Sequence, residues 1–420
     1  VDIDHLRGFA GAFVILIIAW LLSENRRIIP WRIGVAAMGL QIALIVVVTV
    51  VPGAREYLGG VDRALDALQK ATNEGTRFTF GYLAGGAQPF EVKEPSNLFV
   101  LAFQVLPLMI VISALSAVLW RWGVLGFVCR MFSVLFEKTL GVSGVIGFAT
   151  AANIFLGMIE SPLAIRPYLS RLSRSEMFVI MTTGMATVAG TVMAIYAALL
   201  RPTLPDAALH ILTASFMAAP GSILVARLMV PETQEGTTKV DAYVGEEYSS
   251  TIQAFATGVE EGVRIFFNVI GMLIAATAVV ALLNMAFNSI PPILGAPLSV
   301  ERVFGWVLAP LAWIMGVPWA ECGQAGGLMG IKAVLNELIA YIRLSEIPAD
   351  ALSERTRLIM TYALCGFANF AGAAVMVGGL SAICPERRNE LGALGMKSIL
   401  SGILTTSITG ALAGAFYGLG

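Results

Sequence analysis

The sequence predicts an all-α polytopic membrane protein, with eight transmembrane helices and two re-entrant hairpins arranged as inverted repeats. Three observations carry this. First, of 420 residues 57% are hydrophobic and only 13% charged, with a mean hydropathy of +0.80; a soluble domain carries about 25% charged residues. Second, Gly141 to Gly190 holds two apolar arms around a polar tip, GMIESP, at 157–162. Each arm is about half a crossing, since a full span needs roughly 20 residues. A helix interrupted by Gly184, Thr187 and Gly190 follows. Broken backbone at membrane depth survives only buried in protein or lining a water-filled cavity. Third, the pattern recurs from Gly316 to Gly372.

The two copies share an ordered set of features. Both begin Gly-Val, at Gly141 and Gly316, and each carries one tip carboxylate, Glu160 and Glu337. An arginine follows six positions later, Arg166 and Arg343. A Ser/Arg/Glu turn, an Ile-Met-Thr triplet (Ile180–Thr182 and Ile359–Thr361) and a small-residue break ending at Gly190 and Gly372 complete each copy. Hairpins beside broken helices are what secondary transporters place around a midplane substrate site.

In chain order, residues 8–23 form the first span, read as a spanning helix and not a signal peptide because SENRR follows and no small-residue cleavage site does. Asn25, Arg26, Arg27 and Arg32 place its end on the cytoplasmic side, so the chain starts outside. Residues 33–52 return, 54–75 suit an amphipathic helix at the outer surface, 97–119 span again, and 120–139 form an interfacial helix on the inner face. The first hairpin enters from inside, its far end marked by Arg166, Arg171 and Arg174. Residues 175–200 are the first broken helix, 208–229 the next span, 231–252 a polar cytoplasmic loop and 262–287 an outward span. Residues 300–316 approach the second hairpin, which enters from outside; the second broken helix runs 356–383 and the last span 391–418, with Arg387 and Arg388 inside. The division expected is a scaffold over 1–119, a first transport repeat over 120–230, a cytoplasmic loop over 231–261, a scaffold span over 262–298 and a second transport repeat over 299–420.

Several functions are excluded. A net charge of −1 implies no nucleic-acid partner. With only His5 and His210, no His-based triad or zinc site is expected, and no phosphate loop exists, so an enzyme is not. Cys129, Cys322, Cys365 and Cys384 are irregularly spaced in or beside apolar segments and read as buried thiols.

Glu160 and Glu337 are the sharpest signals. A mid-membrane carboxylate costs roughly 2.5–3.5 kcal/mol, so it faces a cavity or a partner. They accept hydrogen bonds from hydroxyls, such as the 2′- and 3′-hydroxyls of a ribose; the alternative is a structural pair with a hairpin arginine. Asn153, Thr187 and carbonyls freed at the tip and break form an oxygen set suited to a small monovalent cation; calcium prefers several carboxylates. The alternative is that Asn153 and Thr187 cap helix ends. Asn369 can donate and accept at once, and neighbouring Phe367 can stack on a flat ring or simply pack. Glu321, near Trp319, is read as interfacial, and the arginines after each hairpin as anchors.

At these residues the chain resembles the concentrative nucleoside transporter family, the cation-coupled nucleoside symporters. The resemblance covers nearly the whole chain, through SENRR, ANIFLGMIESPL, NELIAY and CGFANF. It implies a trimer of elevator-type protomers and a nucleoside carried with sodium; no cofactor is expected, and the compact size without long tails suggests the inner (plasma) membrane. It assigns ribose to Glu160, Glu337 and Asn369, with Phe367 beside them. It assigns sodium to Asn153, Thr187 and the backbone of Leu156 and Val188, and a base contact to Val192. Two departures stand out. Relatives commonly place a Gln-Thr or Gln-Ser pair, which reads the base, where this chain has Met158-Ile159, and a hydroxyl in the second broken helix is replaced by Gly372. Discrimination comes from polar groups that demand a partner, so the resemblance implies atypical base specificity, for purine or modified nucleosides. The competing expectation is a cation- or proton-coupled transporter of another small polar solute.

Overall fold

The structure is a computed structural model that describes residues 3–51, 60–92, 98–204, 206–233, 248–293, 295, 297–348 and 350–418. Helices account for the ordered elements: α1 Ile3–Leu21, α2 Trp31–Thr49, α3 Gly60–Phe80, α4 Leu108–Arg121, α5 Val124–Leu140, α6 Gly144–Phe155, α7 Arg174–Ala186, α8 Gly190–Leu200, α9 Ala207–Met229, α10 Thr251–Phe287, α11 Val300–Ile314, α12 Trp319–Val334, α13 Glu337–Glu346, α14 Glu354–Leu364, α15 Phe370–Ile383 and α16 Arg388–Phe416. Single turns at Leu101–Gln104 and Glu160–Leu163 and a 3₁₀ segment at Arg166–Arg171 fill the joints.

By length and composition, six spans among the described residues can cross a membrane; one of them is α7 and α8 taken together. Eight crossings are reached with α1, a shorter apolar helix, and with the broken pair α14–α15, whose pieces are each too short alone. The pair α11–α12 is instead folded back by 117°, as an approach helix followed by a hairpin arm.

The shared Gly-Val signature now has a cause. Gly141 and Gly316 both take left-handed backbone, φ 66° and 102°, where the approach helix ends and the hairpin arm begins. Only glycine does this without steric cost. Val142 and Val317 then turn into the core. The two serine turns are helix caps: Ser173 accepts from the Glu176 amide at 3.0 Å and Ser353 from that of Thr356 at 3.3 Å. Each hairpin's first arm is also tied to its broken helix, with the partners exchanged. Ser143 donates to Glu176 at 2.9 Å in the first repeat, and Ser353 donates to Glu321 at 2.9 Å in the second. Glu321 is therefore a tie at the hairpin base.

The inversion is visible in contacts at the two ends of α1. At its C-terminal end, Glu24 receives Arg174 at 2.9 Å, and Arg387 donates to the carbonyls of Leu169 and Leu172 at 3.0 and 2.7 Å. Residues that the positive-inside rule assigned to the cytoplasm thus meet at the base of hairpin 1. At its N-terminal end, Arg7 and Arg355 both donate to the Gly316 carbonyl, at 2.6 and 2.9 Å. Hairpin 2 therefore opens from the opposite side. Close approach needs small residues: a Cβ at Gly11 would sit 1.8 Å from the Ile314 carbonyl oxygen, and one at Gly402 would meet Met185 at 2.6 Å.

Some boundaries move. The outer amphipathic helix starts no later than Gly60 and continues to Phe80; residues 54–59 lie outside the described ones. The loop expected to reach 261 ends earlier, because Ser250 caps α10 and the helix begins at Thr251; residues 234–247 lie outside the described ones. α10 leaves Phe267, Ile274 and Leu282 exposed, an apolar surface suited to lipid. Of the arginines after each hairpin, Arg174 is tied down, by Glu24 and Glu390, while those nearest each tip are not anchors. Arg166 is exposed, and Arg343 reaches only Glu346, at 3.1 Å. The grip comes from other segments: Arg387 on hairpin 1, and Arg357, which donates to Ile347 at 2.7 Å and also reaches Pro348, on hairpin 2. Carbonyls at the end of a helix or 3₁₀ turn lack backbone partners, and a guanidinium offers several donors to them.

Candidate substrate and cation site

The two breaks meet at the centre of the molecule. A Cβ at Gly366 would lie 2.8 Å from the Met185 carbonyl oxygen and 2.9 Å from that of Ala186, so the second break presses on the end of α7. Around this crossing the expected residues fall into three groups.

The first is built on hairpin 2. Asn336 takes extended backbone and caps α13, accepting from the Ile339 amide at 2.9 Å, which sets Glu337 at the start of that helix. Glu337 is buried, 4% exposed. One carboxylate oxygen accepts from the Tyr196 hydroxyl at 2.6 Å and the other from Asn369 Nδ2 at 3.0 Å. Asn369 is itself fixed because its Oδ1 caps α15, accepting from Gly372 N at 2.6 Å. Asn369 therefore uses both faces of its amide within the protein. Gly372 fits no side chain in this arrangement: a Cβ would stand 2.5 Å from the Phe367 carbonyl oxygen. Phe367 is half-buried in the turn before the cap.

The second group is the sodium-like oxygen set. Asn153 lies in the last turn of α6 and donates to Thr187 Oγ1 at 2.9 Å. That hydroxyl in turn donates to the Thr183 carbonyl, also at 2.9 Å. Asn153 Oδ1 is buried with no hydrogen-bond partner. A buried acceptor left unpaired costs about 1–3 kcal/mol, and a bound cation satisfies it. Leu156 closes α6, and Val188 lies in the extended break after Thr187. The donor set therefore fits a small monovalent cation.

The third group is the tip of hairpin 1. Gly157 takes φ 121°, and the Glu160 carboxylate folds back so closely that a Cβ there would lie 2.8 Å from Oε2. Leu156, Ile159 and Glu160 line a cavity of about 280 Å³ with Thr191, Trp120, Glu261 and others. Glu337, Asn369 and Phe367 are not part of that lining. Met158 packs against Gly184 and Ile159 against Gly379, since Cβ atoms added there would meet them at 3.0 and 2.9 Å. Val192 is buried in α8, next to Thr191.

Sequence reasoning missed Tyr196, Thr191 and Lys332. Tyr196 is the one aromatic in GTVMAIYAALL, and Lys332 the one charge in the apolar end of its arm; a buried polar group among apolar ones needs a partner, which was the available signal. Lys332 is 2% exposed and donates to the Ala363 carbonyl at 2.8 Å and to Thr406 Oγ1 at 2.9 Å.

Known proteins match this arrangement along the whole chain. The signatures described as "Na+ dependent nucleoside transporter" N-terminus and C-terminus match residues 10–83 and 210–414, and one described as "Nucleoside recognition" matches 102–203. The nucleoside permease NupC of Helicobacter pylori is 36% identical over 99% of both chains. Sodium/nucleoside cotransporter 1 of Mus musculus is 32% identical over 99% of this chain and 64% of its own length. CNTnw in an inward-facing substrate-bound state superposes with a TM-score of 0.91 at 38% identity, covering 99% of this chain and 100% of that one. Multi-pass, all-helical, built for elevator-type exchange and not an enzyme, the chain belongs to the Na⁺-dependent, concentrative nucleoside transporter family.

Proposed function

We propose that the protein imports nucleosides coupled to the sodium gradient, with atypical base specificity, as a homotrimer in the inner membrane. The observation that supports this best is Glu337 held by Tyr196 and Asn369. A carboxylate has about four acceptor positions; with two taken by fixed donors, the others remain oriented for a vicinal diol. Glu160 supplies the second carboxylate, in a cavity toward the end of α4 and the start of α10, the end that the sequence assigns to the cytoplasm. Release into the cell follows from that opening. Sodium is cargo, held by Asn153 Oδ1, the Thr187 hydroxyl and the Leu156 and Val188 carbonyls.

Specificity is the second part of the proposal. Met158 and Ile159 contact Gly184 and Gly379 and offer a base no hydrogen bond, so the site prefers purine or modified nucleosides over a tightly selected uridine. The same loss favours a second reading, a cation- or proton-coupled carrier of another small polar solute. The deciding experiment is uptake into proteoliposomes of a nucleoside panel, under an imposed sodium or an imposed proton gradient. Saturable, sodium-driven uptake lost in Glu160→Gln and Glu337→Gln supports the first reading. A 2′-deoxynucleoside competing as well as its ribonucleoside supports the second.

A further inference from the structure

We propose that the Lys332 ammonium is a resident cation in the second repeat, standing where the first repeat takes its exchangeable sodium, and that it limits coupling to one ion per nucleoside. This rests on the sodium site proposed above. Asn153 lies in the last turn of α6, seven residues before Glu160, and Lys332 in the last turn of α12, five before Glu337. Each reaches across to the broken helix of its own repeat beside the break, Asn153 to Thr187 in the first and Lys332 to Ala363 in the second. The oxygens differ in what they lack. Asn153 Oδ1 is buried without a partner, whereas the Ala363 carbonyl and the Thr406 hydroxyl receive the ammonium at 2.8 and 2.9 Å. An ammonium carries the same charge as a sodium ion and brings three donors to such oxygens.

Charge gives the device its purpose. A carboxylate buried as deeply as Glu337 is costly without an opposite charge, and Lys332 is the buried cation on the same hairpin, five positions before it. Hairpin 2 thus carries its own cation through the cycle. Hairpin 1 has none in its oxygen set and must collect one from solution, so its ion can be driven by a gradient.

The test is nucleoside binding to purified protein by calorimetry, with sodium titrated against choline. A Hill coefficient of about 1 for sodium is expected in the wild type and about 2 in Lys332→Asn, which leaves an oxygen where the ammonium stood. Lys332→Arg keeps the charge and stays at about 1. In the Lys332→Asn background, Asn153→Leu retains sodium dependence, whereas alone it abolishes it. A sodium-dependent wild type with an unchanged coefficient in Lys332→Asn overturns the role of the lysine and leaves the first sodium site intact. Binding indifferent to sodium in the wild type overturns that site and this inference together. The charge moved per nucleoside by wild-type proteoliposomes needs no variant to fold: one elementary charge is expected, and two overturns the inference.

Discussion

Hairpins 1 and 2 descend from one pattern, and they treat the same residue in opposite ways. Glu337 starts a ten-residue helix behind an asparagine cap and is buried between two fixed donors. Glu160 starts a single turn behind a glycine at φ 121° and is exposed to a cavity. The buried polar groups differ in the same sense, since Lys332 fills its oxygens in one repeat while Asn153 Oδ1 stands unpaired in the other. The lesson is that an inverted repeat need not give two equal half-sites. One half is closed by its own hydrogen bonds; the other keeps an unpaired buried oxygen and an open cavity.

The sharpest way to break this comparison is Glu337→Gln against Glu160→Gln. An amide at 337 turns a donor toward Tyr196 or Asn369, both already donating. Each hydrogen bond to a charged group is worth about 1.5–3 kcal/mol, so nucleoside affinity should fall by about 100-fold or more in Glu337→Gln, with lower thermal stability. Glu160→Gln should weaken binding about tenfold and cost less stability than Glu337→Gln, because Glu160 is exposed and Glu337 is buried. Equal losses of stability in the two variants, measured by thermal unfolding in detergent, would remove the distinction between closed and open half.

Tyr196→Phe sharpens it further. It deletes one donor to Glu337 and nothing at Glu160, so affinity should drop about tenfold, or about 1.4 kcal/mol. A 2′-deoxynucleoside should lose less in this variant than in the wild type, because the carboxylate then holds the diol less precisely. Asn153→Leu is the counterpart in hairpin 1: it removes both the unpaired oxygen and the hydrogen bond to Thr187, so it should abolish sodium stimulation of binding and lower sodium-free affinity by no more than about tenfold, or about 1.4 kcal/mol.

Much of this was legible in the sequence. The repeat announced both tips, both breaks and both serine turns, because each depends on local chemistry such as glycine for positive φ and small residues for a break; that the serines cap helices came from their hydrogen bonds. Glu160, Glu337, Asn369, Asn153 and Thr187 stood out as polar groups in apolar arms. What did not show was partnership between distant segments. Tyr196 meets Glu337 across 141 positions, and Arg387 grips hairpin 1 across 218; nothing local in either segment specifies the other. The arginines nearest each tip looked like anchors for want of that information. The unequal burial of the two tips was hidden for the same reason, since both sit in comparable apolar arms and only the packed helices decide which arm is covered.

The smallest effect separates the two hairpins at their bases. Hairpin 1 leads into Arg174, which pairs in two-pronged fashion with Glu24 at 2.9 and 3.2 Å, and Lys397 joins the same carboxylate. The Arg174 hydrogen bonds first, and Lys397 after them, hold the Glu24 carboxyl at about 2 instead of 4.5, against a desolvation that pushes it up. A folded value below the unfolded one means stabilisation that is full above about 4.5 and lost as the pH falls toward 2. Glu24 is largely exposed, so the gain is screened and should not exceed about 1 kcal/mol. Hairpin 2 is gripped by Arg357 and Arg355 through carbonyls, which do not titrate, beside the neutral Ser353 hydroxyl on Glu321. Protection of the amides at the start of α7, with exchange corrected for its intrinsic pH dependence, should therefore fall between pH 4.5 and 3, and Glu24→Gln should show the low protection at every pH. If Glu24→Gln keeps the higher, pH-sensitive protection of the wild type, Glu24 is not what holds the base of hairpin 1, and the contrast between the hairpins is confined to their tips.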